Sequence, residues 1–163
     1  MEPSEDTIYC IDTSSLVNLR LWRPRKRYRE VWERLDELIG QGRLIAPKEV
    51  LEELHDRDDA LLRWARKRKP MFRAISRELA TRVQDIVNRF PGLVDPDQPT
   101  RNADPYVVAL AIQQSKLVYQ PTVCVVTEEK YAPGKIRIPH VCEAYGLKYL
   151  TIHQMFLFEG WML

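Results

Sequence analysis

An almost continuous run of apolar, strand-forming residues, TVCVVT at positions 122–127, most constrains what this chain can fold into. A strand that is apolar on both faces must be covered on both faces, which is typical of a central strand in a parallel sheet flanked by helices. Shorter strand-forming runs at 8–11, 43–46 and 147–150 alternate with helical patterns. The alternation predicts an α/β fold, a three-layer α/β/α sandwich with a mainly parallel central sheet.

The segment between the second strand and the central strand has the pattern of consecutive helices. KEVLEELHD after Pro47, DDALLRWARKRK, and the apolar series from Ile75 to Val87 each repeat at helical spacing. We therefore predict a helical insertion over residues 57–90, beside the sheet. The 163 residues have the length of one domain, so we predict a single domain over 1–163 with residues 1–6 disordered.

Composition restricts the partners and the compartment. The 25 Lys and Arg against 23 Asp and Glu leave a net charge of +2, so binding of a polyanion requires a local cluster of basic residues. The three cysteines lack CxxC spacing and are expected to be buried, reduced thiols. The start MEPSEDT lacks the features of a signal peptide, and no apolar run reaches the ~20 residues that span a bilayer. We expect a cytoplasmic protein that does not bind a membrane.

Four acidic positions follow predicted strands or lie in the first turns of predicted helices. They are Asp12, Glu53, Asp104 and either Glu128 or Glu129. In a parallel α/β sheet these places share one edge, so the four side chains are expected to converge. Taken singly, Asp12 and Asp104 have an explanation as helix caps, and Glu53 as a surface residue. Taken together, crowded carboxylates raise each other's pKa values unless a cation lies between them, which predicts a divalent metal site.

The segments that carry these acids are YCIDTSSL, APKEVLEEL, ADPYVVALA and VCVVTEE, in this order over nearly the whole chain. Together they resemble the PIN-domain ribonucleases, which include the VapC-like toxins of toxin–antitoxin pairs, and most closely a PIN-like branch with an intact acidic set. The resemblance implies a PIN-like fold and an endoribonuclease that depends on Mg²⁺ or Mn²⁺. Carried over residue by residue, its catalytic and metal-binding residues are Asp12, Glu53, Asp104 and Glu129.

The fourth acid departs from the family pattern, in which this position is commonly Asp. Here the strand is followed by Glu128 and Glu129, and we select Glu129 because it lies two residues after Thr127, as in the family's strand-end pattern. The resemblance further implies RNA as the substrate and a protein antitoxin as a partner, and it allows a homodimer.

Two basic clusters contain interleaved aromatic residues. The first, LRLWRPRKRYRE, follows the strand that ends at Asp12, and the second is RWARKRKPMFR at 63–73. Phosphate neutralisation together with stacking of bases on aromatic residues is a common way to hold single-stranded RNA. We expect the first cluster to bind RNA because it lies beside the end of the predicted catalytic strand, and the residues assigned to this role are Arg23, Arg25, Lys26 and Arg27. The second cluster is an RNA contact, a solvated helix face or an antitoxin-docking surface.

The preferred function is a metal-dependent endoribonuclease that acts as the toxin of a toxin–antitoxin pair. The alternative is a non-catalytic PIN-like module that binds RNA or a protein. A haloacid-dehalogenase-like phosphatase would need a second Asp two residues after Asp12, where Ser14 stands. Cleavage of RNA by the native chain and its loss in Asp12→Asn would separate the first two functions.

Overall fold

A five-stranded sheet forms the centre of the computed structural model, which describes residues 6–94, 97 and 102–162. The strands are β1 (Ile8–Ile11), β2 (Leu44–Pro47), β3 (Phe72–Arg73), β4 (Val123–Val126) and β5 (Lys148–Leu150), in the order β3-β2-β1-β4-β5. Every pairing between these strands is parallel. The predicted α/β sandwich with a parallel central sheet is therefore confirmed.

Helices fill the connections between the strands. They are α1 (Thr13–Trp22), α2 (Arg29–Gly40), α3 (Lys48–Arg57), α4 (Asp59–Arg66), α5 (Arg77–Arg89), α6 (Asp104–Ser115), α7 (Ile138–Ala144) and α8 (Ile152–Phe158). Two 3₁₀ turns, Lys69–Met71 and Pro91–Leu93, precede β3 and follow α5. In the part of the chain described above, none of the helices has the length and apolar character needed to cross a membrane.

The order of the strands places the helices on two faces of the sheet. β2 and β3 lie on one side of β1, whereas β4 and β5 lie on the other. Because crossovers between parallel strands are right-handed, the helices that lead from β1 toward β3 lie on one face of the sheet. The helices that lead back from β3 toward β5 lie on the other face. Accordingly, α6 packs with α5 and α7, and α3 packs with α1 and α4. The order reverses between β1 and β4, and ligands of such sheets bind where the carboxyl ends of these strands separate.

The core is centred on β1, β4 and α6. Every residue of both strands is buried, and so is the run from Val107 to Ile112 in α6. α6 is covered on one side by β1, β2 and β4 and on the other by α5 and α7, which explains a helix that is apolar nearly all round. Each fully buried Val, Leu or Ile side chain contributes ~1.5–3 kcal/mol. This packing fixes the first turn of α6 at the carboxyl edge of the sheet.

The stretch 57–90 is not wholly helical, which corrects the predicted helical insertion. Between α4 and α5 the chain forms the edge strand β3, whose Phe72 pairs with Ala46 of β2. A strand of two residues is too short to produce a periodic pattern, so no pattern in the sequence predicts it. Ile75, predicted on the apolar face of the next helix, lies before the N-cap residue Ser76 and is 50% exposed.

Two further expectations concern the N-terminus and the thiols. The predicted disorder of residues 1–6 falls outside the described residues except for Asp6, which forms a turn. Cys10, Cys124 and Cys142 are buried and form no disulfide, as expected.

Candidate metal centre

Asp12 lies at the carboxyl end of β1 and is held there by three hydrogen bonds. In the parallel register Ile11 pairs with Val126, so Asp12 lies beside Thr127. Asp12 Oδ1 accepts the Thr13 N–H at 2.8 Å and caps α1. Its Oδ2 accepts the hydroxyls of Ser14 at 2.8 Å and Thr127 at 3.0 Å. These donors fix the orientation of a carboxylate that is only 3% exposed.

Asp104 lies in the first turn of α6 and does not cap the helix. The alternative explanation of Asp104 as the N-cap does not hold, because that position belongs to Ala103, and Pro105 follows within the first turn. The Asp104 N–H is instead satisfied by Asn102 Oδ1 at 3.3 Å. The Asp104 carboxylate therefore makes no capping hydrogen bond at the start of α6 and can face the other acids.

The two glutamates after β4 have different roles. Glu128 accepts hydrogen bonds from the Ser15 hydroxyl at 2.5 Å, from Asn18 Nδ2 at 3.0 Å and from the Ile152 N–H at 3.0 Å. These bonds tie α1 to the first turn of α8 and leave Glu128 little freedom to bind anything else. The carboxylate of Glu129 turns the other way, where its Oε2 accepts the Ile138 N–H of α7 at 2.9 Å.

Three of the predicted acids converge closely. One carboxylate oxygen from each of Asp12, Asp104 and Glu129 lies within 4.8 Å of the others, with Asp12 buried and the other two partly exposed. Glu53 lies next to this group without belonging to it. Its Oε1 accepts the Thr13 hydroxyl at 2.7 Å, and its charge contributes to the raised pKa values of both aspartates. The four predicted acids thus meet at one edge of the sheet, three in a tight group and one adjacent.

The electrostatics of the group are unfavourable without a cation. Burial, followed by the carboxylates of Asp12, Glu129 and Glu53, raises the pKa of Asp104 from an ordinary 3.8 to about 9. Burial and then the Glu129 carboxylate raise the pKa of Asp12 from 3.8 to about 7. Burial also raises the pKa of Glu53. Within the described ranges, no Lys or Arg forms an ion pair with the three clustered carboxylates.

A hard divalent cation fits this donor set. Mg²⁺ and Mn²⁺ prefer carboxylate and water oxygens, and a cation among these groups would remove the repulsion that raises their pKa values. The donors that would hold it are Asp12, Asp104 and Glu129, with Glu53 as the adjacent fourth acid.

Comparison with known proteins places the chain in a family. Residues 9–163 match the family model described as "Domain of unknown function (DUF4411)". The chain belongs to the DUF4411 family. The match includes all four predicted acids, so the metal centre lies within the matched residues. No curated protein and no solved structure matches the chain significantly.

The RNA-binding candidates of this DUF4411 chain do not lie at the metal centre. The ten residues of α1 separate Asp12 from Arg23, a distance of about 15 Å at the usual helical rise. The expectation that Arg23, Arg25, Lys26 and Arg27 lie beside the end of β1 is therefore wrong, because α1 carries the chain away from that edge. The guanidinium of Arg23 stacks instead on Phe156 of α8, 5.6 Å from its ring centroid.

The two basic clusters of the sequence meet in one groove, which we call the basic groove. Its cavity of about 620 Å³ is lined by Arg20, Pro24, Arg25, Lys26, Trp32, Ala60, Leu61, Arg63, Trp64, Arg66 and Lys67. The walls are mainly apolar, and every charged lining residue is basic. Trp32 and Trp64 pack edge to face in one wall, with ring centroids 5.2 Å apart.

Helices α1 and α3 connect the basic groove to the metal centre. Near the centre they are joined by the Thr13–Glu53 hydrogen bond, and at the groove by the ion pair of Arg20 with the buried Asp58. Thr13 and Arg20 are seven positions apart in α1, about 10 Å along the helix. A ligand longer than this could contact both places.

Sequence reasoning missed the roles of two residues that shape the centre of the DUF4411 chain. Thr127 donates to Asp12, and Glu128 fastens α8 to α1. The sequence contained a signal for the role of Thr127. It is a polar residue directly after the central strand, and in a parallel sheet it lies beside Asp12, which directly follows the neighbouring strand. The role of Glu128 had none, because Ile152 and Asn18 are distant in sequence.

Proposed function

We propose that this DUF4411 protein is a metal-dependent endoribonuclease that hydrolyses RNA phosphodiester bonds. The observation that carries the proposal is the group of oxygens from Asp12, Asp104 and Glu129, which three separate segments bring within 4.8 Å of one another. Crowded acids that repel one another cost stability, so a fold that brings three of them together favours a function that uses them.

In this proposal the acids of the centre bind the metal ion, and neighbouring hydroxyls orient the acids. Asp12, Asp104 and Glu129 would hold Mg²⁺ or Mn²⁺, and a bound ion of this kind activates water and neutralises charge on a phosphodiester. Ser14 and Thr127 keep the Asp12 carboxylate in one orientation through their hydroxyls. The Thr13 hydroxyl does the same for Glu53.

The basic groove supports a polyanionic substrate or an acidic partner. Six basic side chains surround it, and the exposed Arg25 and Lys26 belong to the cluster expected to bind RNA. If the chain is the toxin of a toxin–antitoxin pair, the same groove, with its apolar walls, is the surface on which an acidic antitoxin segment would dock.

A non-catalytic module that binds RNA or a protein is the second candidate. It is favoured by one observation: Glu129 stands where PIN domains commonly have Asp, and its Oε2 already accepts a hydrogen bond from the Ile138 N–H. A carboxylate held in this way has less freedom to bind an ion.

Cleavage of an RNA panel in the presence of Mn²⁺ tests the proposal. The native protein should cut at least one RNA, Asp12→Asn should not, and Asp85→Asn, which changes an exposed acid on α5, should cut like the native protein. RNA that is bound but not cut by the native protein would favour the non-catalytic module. Equal cleavage by Asp12→Asn would show that the nuclease activity does not use this centre.

A further inference from the structure

The segment 130–137, between β4 and α7, has no role in the proposed chemistry but begins directly after Glu129. It carries an aromatic residue, Tyr131, which is 49% exposed. The Tyr131 ring lies nearly parallel to the His140 ring, with centroids 4.6 Å apart and planes at 23°. One face of the tyrosine is therefore covered by His140, while about half of the surface of Tyr131, 49%, stays exposed to solvent.

His140 serves as the base of this stack. It lies in the first turn of α7, and within the described part of the chain its buried Nδ1 has no hydrogen-bond partner. Stacking against Tyr131 is an aromatic contact that the structure shows for this ring. A tyrosine supported in this way loses little further freedom when a third flat group stacks on it.

The stack is held at the edge of the metal centre. Tyr131 is two residues after Glu129, so their Cα atoms lie at most about 7 Å apart. Glu129 is also bonded to the Ile138 N–H at the far end of the segment, and a bridge between Ala132 and Lys135 closes the turn. Both ends of the segment are thus fixed relative to the carboxylates.

The charge of the segment complements a nucleic acid. Residues 130–137 include Lys130, Lys135 and Arg137 and no acidic residue. Positive side chains beside an acidic centre offset the repulsion that its carboxylates exert on a phosphate backbone. A single exposed ring flanked by basic residues suits an unpaired base better than a protein partner, because protein-binding surfaces usually present a contiguous apolar patch.

We propose that Tyr131, supported by His140, is a stacking platform for an unpaired base of single-stranded RNA, with Lys130, Lys135 and Arg137 contacting the adjacent phosphates. The proposal rests on the proposed function, since it takes the RNA to be the substrate of the metal centre. The base on the platform then belongs to a nucleotide close to the scissile bond, which makes Tyr131 a positioning residue for cleavage.

The test uses single-stranded RNA oligonucleotides that carry 2-aminopurine at successive positions, because stacking quenches the fluorescence of this base. Binding is measured in Ca²⁺, so that it is followed independently of cleavage. The variants are Tyr131→Ala, Tyr131→Phe, which keeps the ring, and Tyr119→Ala, which removes a tyrosine that is 65% exposed and precedes β4 at the opposite edge of the sheet.

The native protein, Tyr131→Phe and Tyr119→Ala should quench 2-aminopurine at the same position. Tyr131→Ala should lose this quenching and bind RNA about 5- to 150-fold more weakly. Quenching that persists in Tyr131→Ala, equal losses in Tyr131→Ala and Tyr119→Ala, or no RNA binding by the native protein would overturn the platform.

The outcomes also separate the platform from the nuclease. Position-specific quenching that depends on Tyr131, without cleavage in Mg²⁺ or Mn²⁺, would support the platform and reject the endoribonuclease. Cleavage with unchanged RNA affinity and quenching in Tyr131→Ala would reject the platform and retain the endoribonuclease.

Discussion

Replacement of Asp104 by Asn should stabilise the metal-free protein. With a pKa raised from 3.8 to about 9, Asp104 keeps its proton in the folded protein at about pH 7 but loses it on unfolding. At about pH 7, which is ~3.2 units above the ordinary pKa, keeping Asp104 protonated in the folded state costs up to ~4 kcal/mol of stability, at ~1.4 kcal/mol per unit. Asp104→Asn avoids this cost, and its amide can donate to Glu129 as the protonated acid does.

The realised gain should be about 2–4 kcal/mol at about pH 7, because Asp104 is partly exposed and solvent screens part of the repulsion. For a domain of this size, that corresponds to a melting temperature higher by about 4–16 °C. The size of the gain depends on pH in a defined way. Because the pKa is raised on folding, the stability contributed by Asp104 is fully present below its ordinary pKa and is lost as pH rises toward the folded value. The advantage of Asp104→Asn should therefore nearly vanish at about pH 4 and grow up to about pH 9.

Urea or thermal unfolding in EDTA at several pH values measures this gain, with Asp85→Asn as the exposed control expected to change stability by less than ~0.5 kcal/mol. Adding Mg²⁺ or Mn²⁺ should then stabilise the native protein, by ~2.7 kcal/mol at 100 times the Kd, and leave Asp104→Asn almost unchanged. A variant less stable than the native protein in EDTA at about pH 7, or an equal gain at all pH values, would refute the reasoning.

Three further predictions follow from the hydrogen bonds and charges around the centre. Glu129→Gln should abolish metal-induced stabilisation and RNA cleavage. Glu128→Gln should keep both and lower the free energy of unfolding by ~1–3 kcal/mol, because it disturbs partly buried hydrogen bonds. The reverse ranking would reassign the metal ligand. Replacing Arg25 and Lys26 together by Ala should reduce the log–log slope of RNA affinity against salt concentration by roughly one unit per lost phosphate contact. Metal-induced stabilisation should stay intact. Unchanged RNA affinity, together with lost binding to a co-expressed protein, would assign the basic groove to antitoxin docking. Thr127→Val should weaken the free energy of metal binding, measured by calorimetry, more than it lowers the free energy of unfolding, because it deletes a hydroxyl that orients the carboxylate at the end of β1. Unchanged metal affinity would mean that this hydroxyl does not contribute to metal binding.

The fold was predictable because its strands carry their signal locally. The run around β4 is apolar on both faces, which only a doubly covered strand tolerates, and its parallel partners follow from the alternation with helices. β3 was not predictable, because two residues cannot show a period and its pairing with Ala46 and Pro47 depends on tertiary contacts.

The sequence predicted the position of the metal centre more accurately than the position of the basic residues. Asp12 and Glu129 follow parallel strands, and Asp104 begins the helix that leads into β4, so the convergence of these acids at one edge follows from topology. Proximity in sequence misled the placement of Arg23 and its neighbours, since a helix of ten residues carries them away from the strand end that they follow. The meeting of two distant basic clusters at the groove depends on packing of α1, α2 and α4, which periodicity does not encode.

Anomalous diffraction from crystals grown with Mn²⁺ tests the central claim most directly. The account predicts a manganese peak in direct contact with carboxylate oxygens of Asp12, Asp104 and Glu129, and no peak there in crystals of Asp12→Asn/Asp104→Asn. Manganese bound only elsewhere on the protein, or an empty centre at saturating Mn²⁺, would contradict it.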